Sequence, residues 1–259
     1  YRNRLVSLEL DNCGVYALVT KMRKIEFPNL RKLKVIDNYP AFYDEEFYLS
    51  KFGEISCFPS VEVLELHDLD TIRFLNRMQK GILPKLQALD YNVLISDQQL
   101  DTFVKARNVV FSSLTIELQI GIAPLLAVAP TLKKLELSIA PKSAAKLLNE
   151  LQAHIHEFSM LREFTLVNFN EQDSMGSSIS DFFVALPTCV ETVKLSHCNL
   201  IHFPNFSHLT KSLRLVVLSS VVCEEEMPAW FFTATNLKSL SLYDCTITID
   251  KNVAFAGKS

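Results

Sequence analysis

Three places in the chain hold residues whose type and spacing could do chemistry. Gly257-Lys258-Ser259 ends like a phosphate-binding loop, in which backbone N–H groups cradle a phosphate and a lysine neutralises it. That loop needs a glycine five residues earlier, where Asn252 stands, and a following helix. His154 and His156 flank Ile155 and precede Glu157. Imidazole and carboxylate both ligate zinc, but a spacing of two on a helix sends the rings to different faces, so a surface helix is expected. His67 and His197 adjoin strand-like runs with no nucleophile spaced to make a triad. No GxSxG, HExxH or kinase signature occurs. The chain reads as non-catalytic, with no cofactor and no metal site.

The six cysteines are Cys13, Cys57, Cys189, Cys198, Cys223 and Cys245. None makes a CxxC pair, so neither a zinc site nor a thioredoxin-like site is indicated. A chain this long does not need disulfides to fold, which favours a reducing compartment. The expected location is cytoplasmic or nuclear rather than secreted, and the lone sequon Asn205-Phe206-Ser207 is a pattern common by chance.

The elements that position these residues follow from composition and pattern. The 259 residues are 49% hydrophobic and 21% charged, which excludes a mainly disordered chain. Net charge is -3, which excludes a strongly basic nucleic-acid binder, and six glycines leave little for phosphate cradles. The most apolar run, LQIGIAPLLAVAP at 118–130, is too short to span a membrane and is broken by Pro124 and Pro130. It reads as a buried helix. No basic stretch followed by an apolar one opens the chain. Neither a nucleic-acid nor a membrane partner is expected.

The pattern LxxLxL, with Val, Ile or an aromatic allowed for Leu, recurs ten times. It reads Leu5-Leu8-Leu10, Leu30-Leu33-Val35, Val61-Leu64-Leu66, Leu86-Leu89-Tyr91 and Phe111-Leu114-Ile116. It continues as Leu132-Leu135-Leu137, Leu161-Phe164-Leu166, Val190-Val193-Leu195, Leu213-Val216-Leu218 and Leu237-Leu240-Leu242. Successive starts lie 21 to 31 residues apart, with a mean near 26. FPNL, FPSV, LPKL and APTL lead into four of the motifs. The last two apolar positions alternate as in a strand with one buried face. The longer segment that follows is helical in pattern, as in Ala145, Leu148, Leu151 and Ile155, and proline stops it before the next strand. One strand and one helix cannot bury their own apolar faces, but stacked units can. The expected fold is α/β: a horseshoe solenoid of about ten repeats, with a parallel sheet on the concave face and helices on the convex face. It forms a single domain over 1–259. Tyr1 opens directly in a strand-like run, which reads as a piece of a longer protein.

This pattern resembles the leucine-rich repeat family over essentially all of 5–247. Cys13, Cys198 and Cys245 take the ninth position of their repeats, and Asn38 holds it in the second. In the family that side chain points inward and hydrogen-bonds the turn after the strand, which implies structural cysteines. Cysteine there, with units near 26 residues, is similar to the cysteine-containing subtype typical of F-box substrate receptors of cullin–RING ubiquitin ligases. Other repeats carry Leu69, Leu94, Gln119, Ala140, Phe169 and Val221 at that position. Residues 227–245 also resemble repeats of plant-type immune receptors.

On such a fold, positions three, five and seven of each repeat project from the concave sheet. The first six repeats place Glu9, Asp11, Glu65, Asp90, Glu117 and Glu136 there against Lys32, Lys34 and Lys134, a mildly acidic surface. The last four place mostly Ser, Thr and Val there, with Glu163 and Lys194, a nearly neutral one. Leu215, Val217 and Tyr243 should lie on neighbouring strands about 5 Å apart and make a binding hot spot. Thr165, Lys194, Glu65 and Asp90 complete the expected partner-binding set. The competing expectation is that a C-terminal cap covers the apolar patch. The second repeat is the longest, and its insertion carries Tyr39, Phe42 and Tyr43 beside Pro40 as candidate contacts. Phe47, Tyr48 and Phe52 fit a helix packing face, and the polar run at 170–180 fits a solvated loop.

The resemblance implies a protein-interaction module that holds a protein or peptide ligand on its concave face. Its most specific form is the substrate-recognition domain of an F-box-type ubiquitin ligase receptor, with the ligase adaptor bound through a region outside this chain. The alternative is the ligand-sensing domain of an intracellular nucleotide-binding immune receptor. A GTPase-activating repeat protein would need an exposed Arg or Asn on a loop, and the sequence marks none.

Overall fold

The computed structural model describes residues 4–11, 27–36, 59–67, 85, 88–106, 110–171, 179–228, 231, 234 and 236–248. The chain divides into two compact units, Tyr1–Thr115 and Ile116–Ser259, where the sequence pattern suggests one domain. Each is taken by itself.

In the first unit β1 (Ser7–Asp11), β2 (Lys32–Ile36), β3 (Val63–His67) and β4 (Ala88–Ser96) pair in order, all parallel. Leu8 stands opposite Leu33, Leu33 opposite Leu64, and Leu64 opposite Leu89, so motif matches motif without slip. A slip of one residue would turn every inward side chain outward. Phe27, Leu30, Leu33, Val61 and Leu64 are buried. After β4 comes α1 (Asp97–Ala106). Its start is a capping box legible in Ser96-Asp97-Gln98-Gln99: Gln99 N–H donates to Ser96 Oγ (3.3 Å) and Ser96 N–H to Gln99 Oε1 (2.9 Å). β5 (Val110–Leu118) crosses the division between the units.

In the second unit the long strands are β6 (Lys134–Ile139), β7 (Glu163–Val167), β8 (Thr192–Ser196), β10 (Leu215–Ser219) and β12 (Ser239–Tyr243). They pair in that order, all parallel. Three two-residue strands, β9 (Asn199–Leu200), β11 (Val222–Cys223) and β13 (Thr246–Ile247), form a second small parallel sheet. The inward row Leu137, Leu166, Leu195 and Leu218 is sealed, each at most 1% exposed. Leu242 continues that row on β12 and keeps 41% of its surface. Among the described residues no strand lies beyond β12 in this sheet.

Two expectations about helices are corrected. The run 118–130 is not one buried helix: Leu118 ends β5, and the helix is a single turn, α2 (Ala123–Leu126), with Pro124 in its first turn. Val128 and a 3-10 turn over Ala129–Thr131 follow, because Pro130 removes the next backbone donor. Helices also do not back every repeat. α3 (Ala144–His154) buries Ala144, Leu147, Leu148 and Leu151, and α4 (Ile179–Val184) buries Phe182 and Phe183. Between β8 and β10 the described chain has no α-helix. The repeat there is only 23 residues long and carries Pro204, so the outer side is β9 and a 3-10 turn at Ser207–Leu209.

The interior of this unit is lined with phenylalanines. Phe183 meets Phe164, Phe182 and Phe206 with ring centroids 5.8, 5.5 and 4.9 Å apart, mostly edge to face. Phe206 meets Phe231 at 5.9 Å, and Phe231 meets Phe203 at 5.2 Å. Edge-to-face geometry suits the ring quadrupole and adds to area burial.

The turns after the strands repeat as well. The eighth residues Asn168, His197, Ser220 and Asp244 all take positive φ, between 52° and 55°. Left-handed backbone favours short polar residues, Asn and Asp above all. It lets Asn168, His197 and Ser220 donate their N–H groups to Ser196, Ser219 and Tyr243 carbonyls on the next strand. The ninth residue then points inward. Cys198 Sγ lies 3.4 Å from Ser196 O and 3.6 Å from Leu166 O; Cys245 Sγ lies 3.2 Å from Tyr243 O and 3.3 Å from Leu218 O. The structural role implied by the resemblance is met at both. Cys13 and Asn38 lie outside the described residues.

Burial pushes the Cys198 thiol up to about 11, against the opposing pull of backbone hydrogen bonding at Phe169 and Ser196. At pH 8 it is almost wholly un-ionised, and the thiolate is the nucleophile. Cys198 should therefore resist iodoacetamide in the folded chain while the half-buried Cys189 is alkylated, read by peptide mass spectrometry. Equal labelling of both would contradict this. The sign for stability follows: a thiol raised from 9.0 to about 11 contributes fully below pH 9, and that contribution fades as pH climbs through 11.

Candidate binding face

The strand register arranges the outward residues of the second unit into three rows. Lys134, Glu163, Thr192, Leu215 and Ser239 form the first, and Glu136, Thr165, Lys194, Val217 and Ser241 the second. Ser138, Val167, Ser196, Ser219 and Tyr243 form the third. The pleat makes β8 and β10 alternate covered and partly open residues, which keeps these rows outward.

Leu215 and Val217 share β10, two residues apart, and Tyr243 stands diagonally across from Val217 on β12. Leu215 and Tyr243 do not meet: four residues of register separate them, about 13 Å along the strands. The apolar patch is thus a diagonal stripe with Val217 at its centre and Tyr243, 60% exposed, at its open end. Ser196, Ser219, Ser239, Ser241 and Thr192 flank it with hydroxyls.

The other predicted contacts behave differently. Thr165 is buried, lying between the longer side chains Glu136 and Lys194 in its row, so it floors the face and is not a free contact. Lys194 is engaged by the Glu163 carboxylate, which also receives Lys134 at 3.5 Å. Glu65 and Asp90 belong to the first unit, adjacent in the row Glu9, Lys34, Glu65, Asp90. Glu65 is paired with Lys32 at 2.6 Å and Glu9 with Lys34 at 2.8 Å. The mildly acidic surface expected there is therefore neutralised at both of these glutamates by lysines one strand away. Tyr39, Phe42 and Tyr43 lie outside the described residues, as do Phe47, Tyr48 and Phe52.

Glu136, Glu163, Lys134 and Lys194 form one electrostatic cluster. Burial would raise the Glu163 carboxyl, but the hydrogen bond and charge of Lys194, with Lys134, win and hold it below the usual range. Glu136 goes the other way: burial raises it, and the Glu163 charge adds to that against the pull of Lys194. Glu163 thus contributes stability above its ordinary value that is lost as pH falls through its folded value; Glu136 opposes it, contributing below pH 4.5 and less above. Lys194→Ala should move both carboxyl titrations upward, followed by carbon-13 NMR of the glutamate carboxyls. If Glu136 stays put, the two carboxylates do not share that lysine.

Among the described residues no group of three His, Cys, Asp or Glu gathers to hold a metal. The His154–His156 expectation is corrected in its geometry. α3 ends at His154 and tightens into a 3-10 turn, so the two rings stack with centroids 6.4 Å apart instead of facing apart. His154 Nδ1 sits 2.8 Å from Glu157 Oε1. No helix of the described residues is long and apolar enough to cross a membrane.

One polar residue unmarked in the sequence organises this unit. Glu171 is 5% exposed, and its Oε2 accepts the N–H groups of Ile201 (2.6 Å) and His202 (3.0 Å). Its Oε1 accepts Ile179 N–H at 3.4 Å and lies 3.7 Å from His202 Nδ1. The polar run expected as a solvated loop therefore opens with a buried carboxylate; 172–178 lie outside the described residues.

No protein-family model matches the chain, and no curated protein sequence matches it. Among solved structures it is similar to the leucine-rich repeat-containing protein LegL7 from Legionella pneumophila, at 15% identity and a TM-score of 0.44, over 92% of this chain and 82% of that one. It is also similar to TLR13 in a TLR13–ssRNA13 complex, at 15% identity and a TM-score of 0.41. That match covers 96% of this chain and 43% of the TLR13 chain, so the chain spans less than half of it.

Proposed function

We propose that the chain is a protein-interaction module that holds a protein or peptide ligand on the outward face of the second unit's sheet, without catalytic chemistry of its own. The observation that carries this reading is the stripe Leu215–Val217–Tyr243, an apolar track on a rigid parallel sheet flanked by hydroxyl groups. An apolar centre in a polar surround is the anatomy of a binding hot spot. The more specific reading is the substrate-recognition domain of an F-box-type ubiquitin ligase receptor. It is supported by repeats averaging near 26 residues and by the thiols of Cys198 and Cys245 turned to the turn carbonyls. The rival, the sensing domain of an intracellular immune receptor, draws on the pattern of 227–245 and the helix-free outer side after β8.

Affinity purification of the full-length parent from its own cells, followed by mass spectrometry, separates these. A cullin adaptor in near-equal amount supports the ligase reading; its absence removes it. The ligands captured should then be lost from Val217→Asp and Tyr243→Asp, each by about 30-fold or more, since a carboxylate would be buried against an apolar partner surface. Capture unchanged by both substitutions removes the face from consideration.

A further inference from the structure

A second surface of the same unit is predominantly cationic, with one carboxylate in its middle. The second residue of each repeat, just before the strand, is Lys133, Arg162, Glu191, Arg214 or Lys238. Backbone hydrogen bonds stack these residues directly: Arg162 N–H donates to Lys133 O, Glu191 to Arg162 O, Arg214 to Glu191 O and Lys238 to Arg214 O, each at 2.8 Å. The side chains therefore issue from a rigid row, one strand spacing of about 4.8 Å apart. Lys133, Arg162, Arg214 and Lys238 are exposed. Lys211, exposed in the turn before β10, joins the same edge, its carbonyl held by Asn236 Nδ2 at 2.9 Å. In a chain of net charge -3, this concentration of cations on one edge departs from the whole.

We infer that this strand-entry edge docks an acidic, extended polypeptide segment laid across the strands. The cations form two pairs, Lys133 with Arg162 and Arg214 with Lys238, separated by Glu191. Glu191 lies 3.5 Å from Arg162 Nη1 and 3.6 Å from Arg214 Nε, long contacts that set the two guanidinium groups on either side of it. Planar guanidinium forks match carboxylates in bidentate geometry. Arg162 and Arg214 are two strand steps apart, about 9.6 Å, which is close to three residues of an extended chain. A peptide with two acidic clusters can place an uncharged residue over Glu191. A nucleic-acid backbone, charged at every step, would set a phosphate against that carboxylate. The described edge also offers no aromatic ring on which a base could stack.

The test uses the full chain and a fluorescein-labelled peptide of about eight residues, two runs of glutamate separated by glycine, long enough to span the row. A single-stranded oligonucleotide of equal charge serves as competitor, and both are followed by anisotropy at low and high salt. The peptide should bind at low salt and weaken as salt rises. Arg214→Glu with Lys238→Glu should lower its affinity about tenfold or more, and Glu191→Gln should raise it. Circular dichroism checks the fold, and Lys133→Glu, at the far end of the row, reads the same loss should the double variant unfold. No binding by the native chain, or binding indifferent to these charges, overturns the proposal. An oligonucleotide that binds more tightly than the peptide also overturns it and assigns the edge to nucleic acid. Val217→Ser, which tests the sheet face without adding charge, should leave the peptide affinity unchanged; a loss there would overturn the edge as its site.

Discussion

Phe183→Ala should destabilise the folded chain by about 3–5 kcal/mol, seen as a drop in the urea midpoint. Phe183 has no exposed surface and touches three other rings, Phe164, Phe182 and Phe206. Removing it deletes the transfer free energy of the ring and leaves a cavity between a strand residue, its own helix and the next repeat. Those three rings cannot all collapse into the gap, because each is held by a different element. Repeats in such a stack are stabilised chiefly by contact with their neighbours, so loss at this joint propagates to both sides. Val184→Ala, one residue on and 48% exposed, should change the midpoint little. Comparable effects from the two substitutions would show that the phenylalanine row does not hold the repeats together.

Glu171→Ala should cost about 2–4 kcal/mol, through a different mechanism. The carboxylate satisfies three backbone donors, that of Ile179, which opens α4, and those of Ile201 and His202, in the turn after β9. Alanine leaves them without this acceptor, at Ile179 in a buried site and at Ile201 and His202 in a half-buried one, and each buried unmet donor costs about 1–3 kcal/mol less whatever water can enter. Glu171→Gln separates charge from hydrogen bonding. The amide oxygen can keep the two short bonds to Ile201 and His202, while its NH₂ group faces the Ile179 N–H, donor against donor. The glutamine variant should therefore lose about 1 kcal/mol, clearly less than alanine. Equal losses would mean that the negative charge beside His202, and not the backbone bonds, is what Glu171 supplies.

Much of this could be read without coordinates, and particular residues show why. Each motif predicted a strand, and Leu8, Leu33 and Leu64, or Val193, Val216 and Leu240, do stand side by side. The capping box at Ser96–Gln99 and the inward cysteines at 198 and 245 are equally local or equally periodic. So is a signal at the eighth position: Asn168, His197, Ser220 and Asp244 are short polar or imidazole residues where left-handed backbone is required. All of these depend on the residue, its near neighbours in sequence, and a translation of one repeat.

What the periodicity could not carry is lateral. Thr165 is polar and at an outward position, yet the reach of Glu136 and Lys194 on either side buries it. Lys194 looks like an isolated cation in sequence and is engaged by Glu163, 31 residues away. Glu171 meets its partners 30 and 31 residues later, on backbone that no side-chain pattern encodes. The sequence by itself determined the strands and their common register, because a stacked repeat makes distance along the chain and distance in space proportional; the inward turn of the ninth residue was implied by the resemblance. Only the tertiary structure decided which outward residues remain open, which charges cancel and where the phenylalanines meet. Those outcomes turn on side-chain length and direction between neighbouring repeats, where one ångström separates an ion pair from a contact left for a partner.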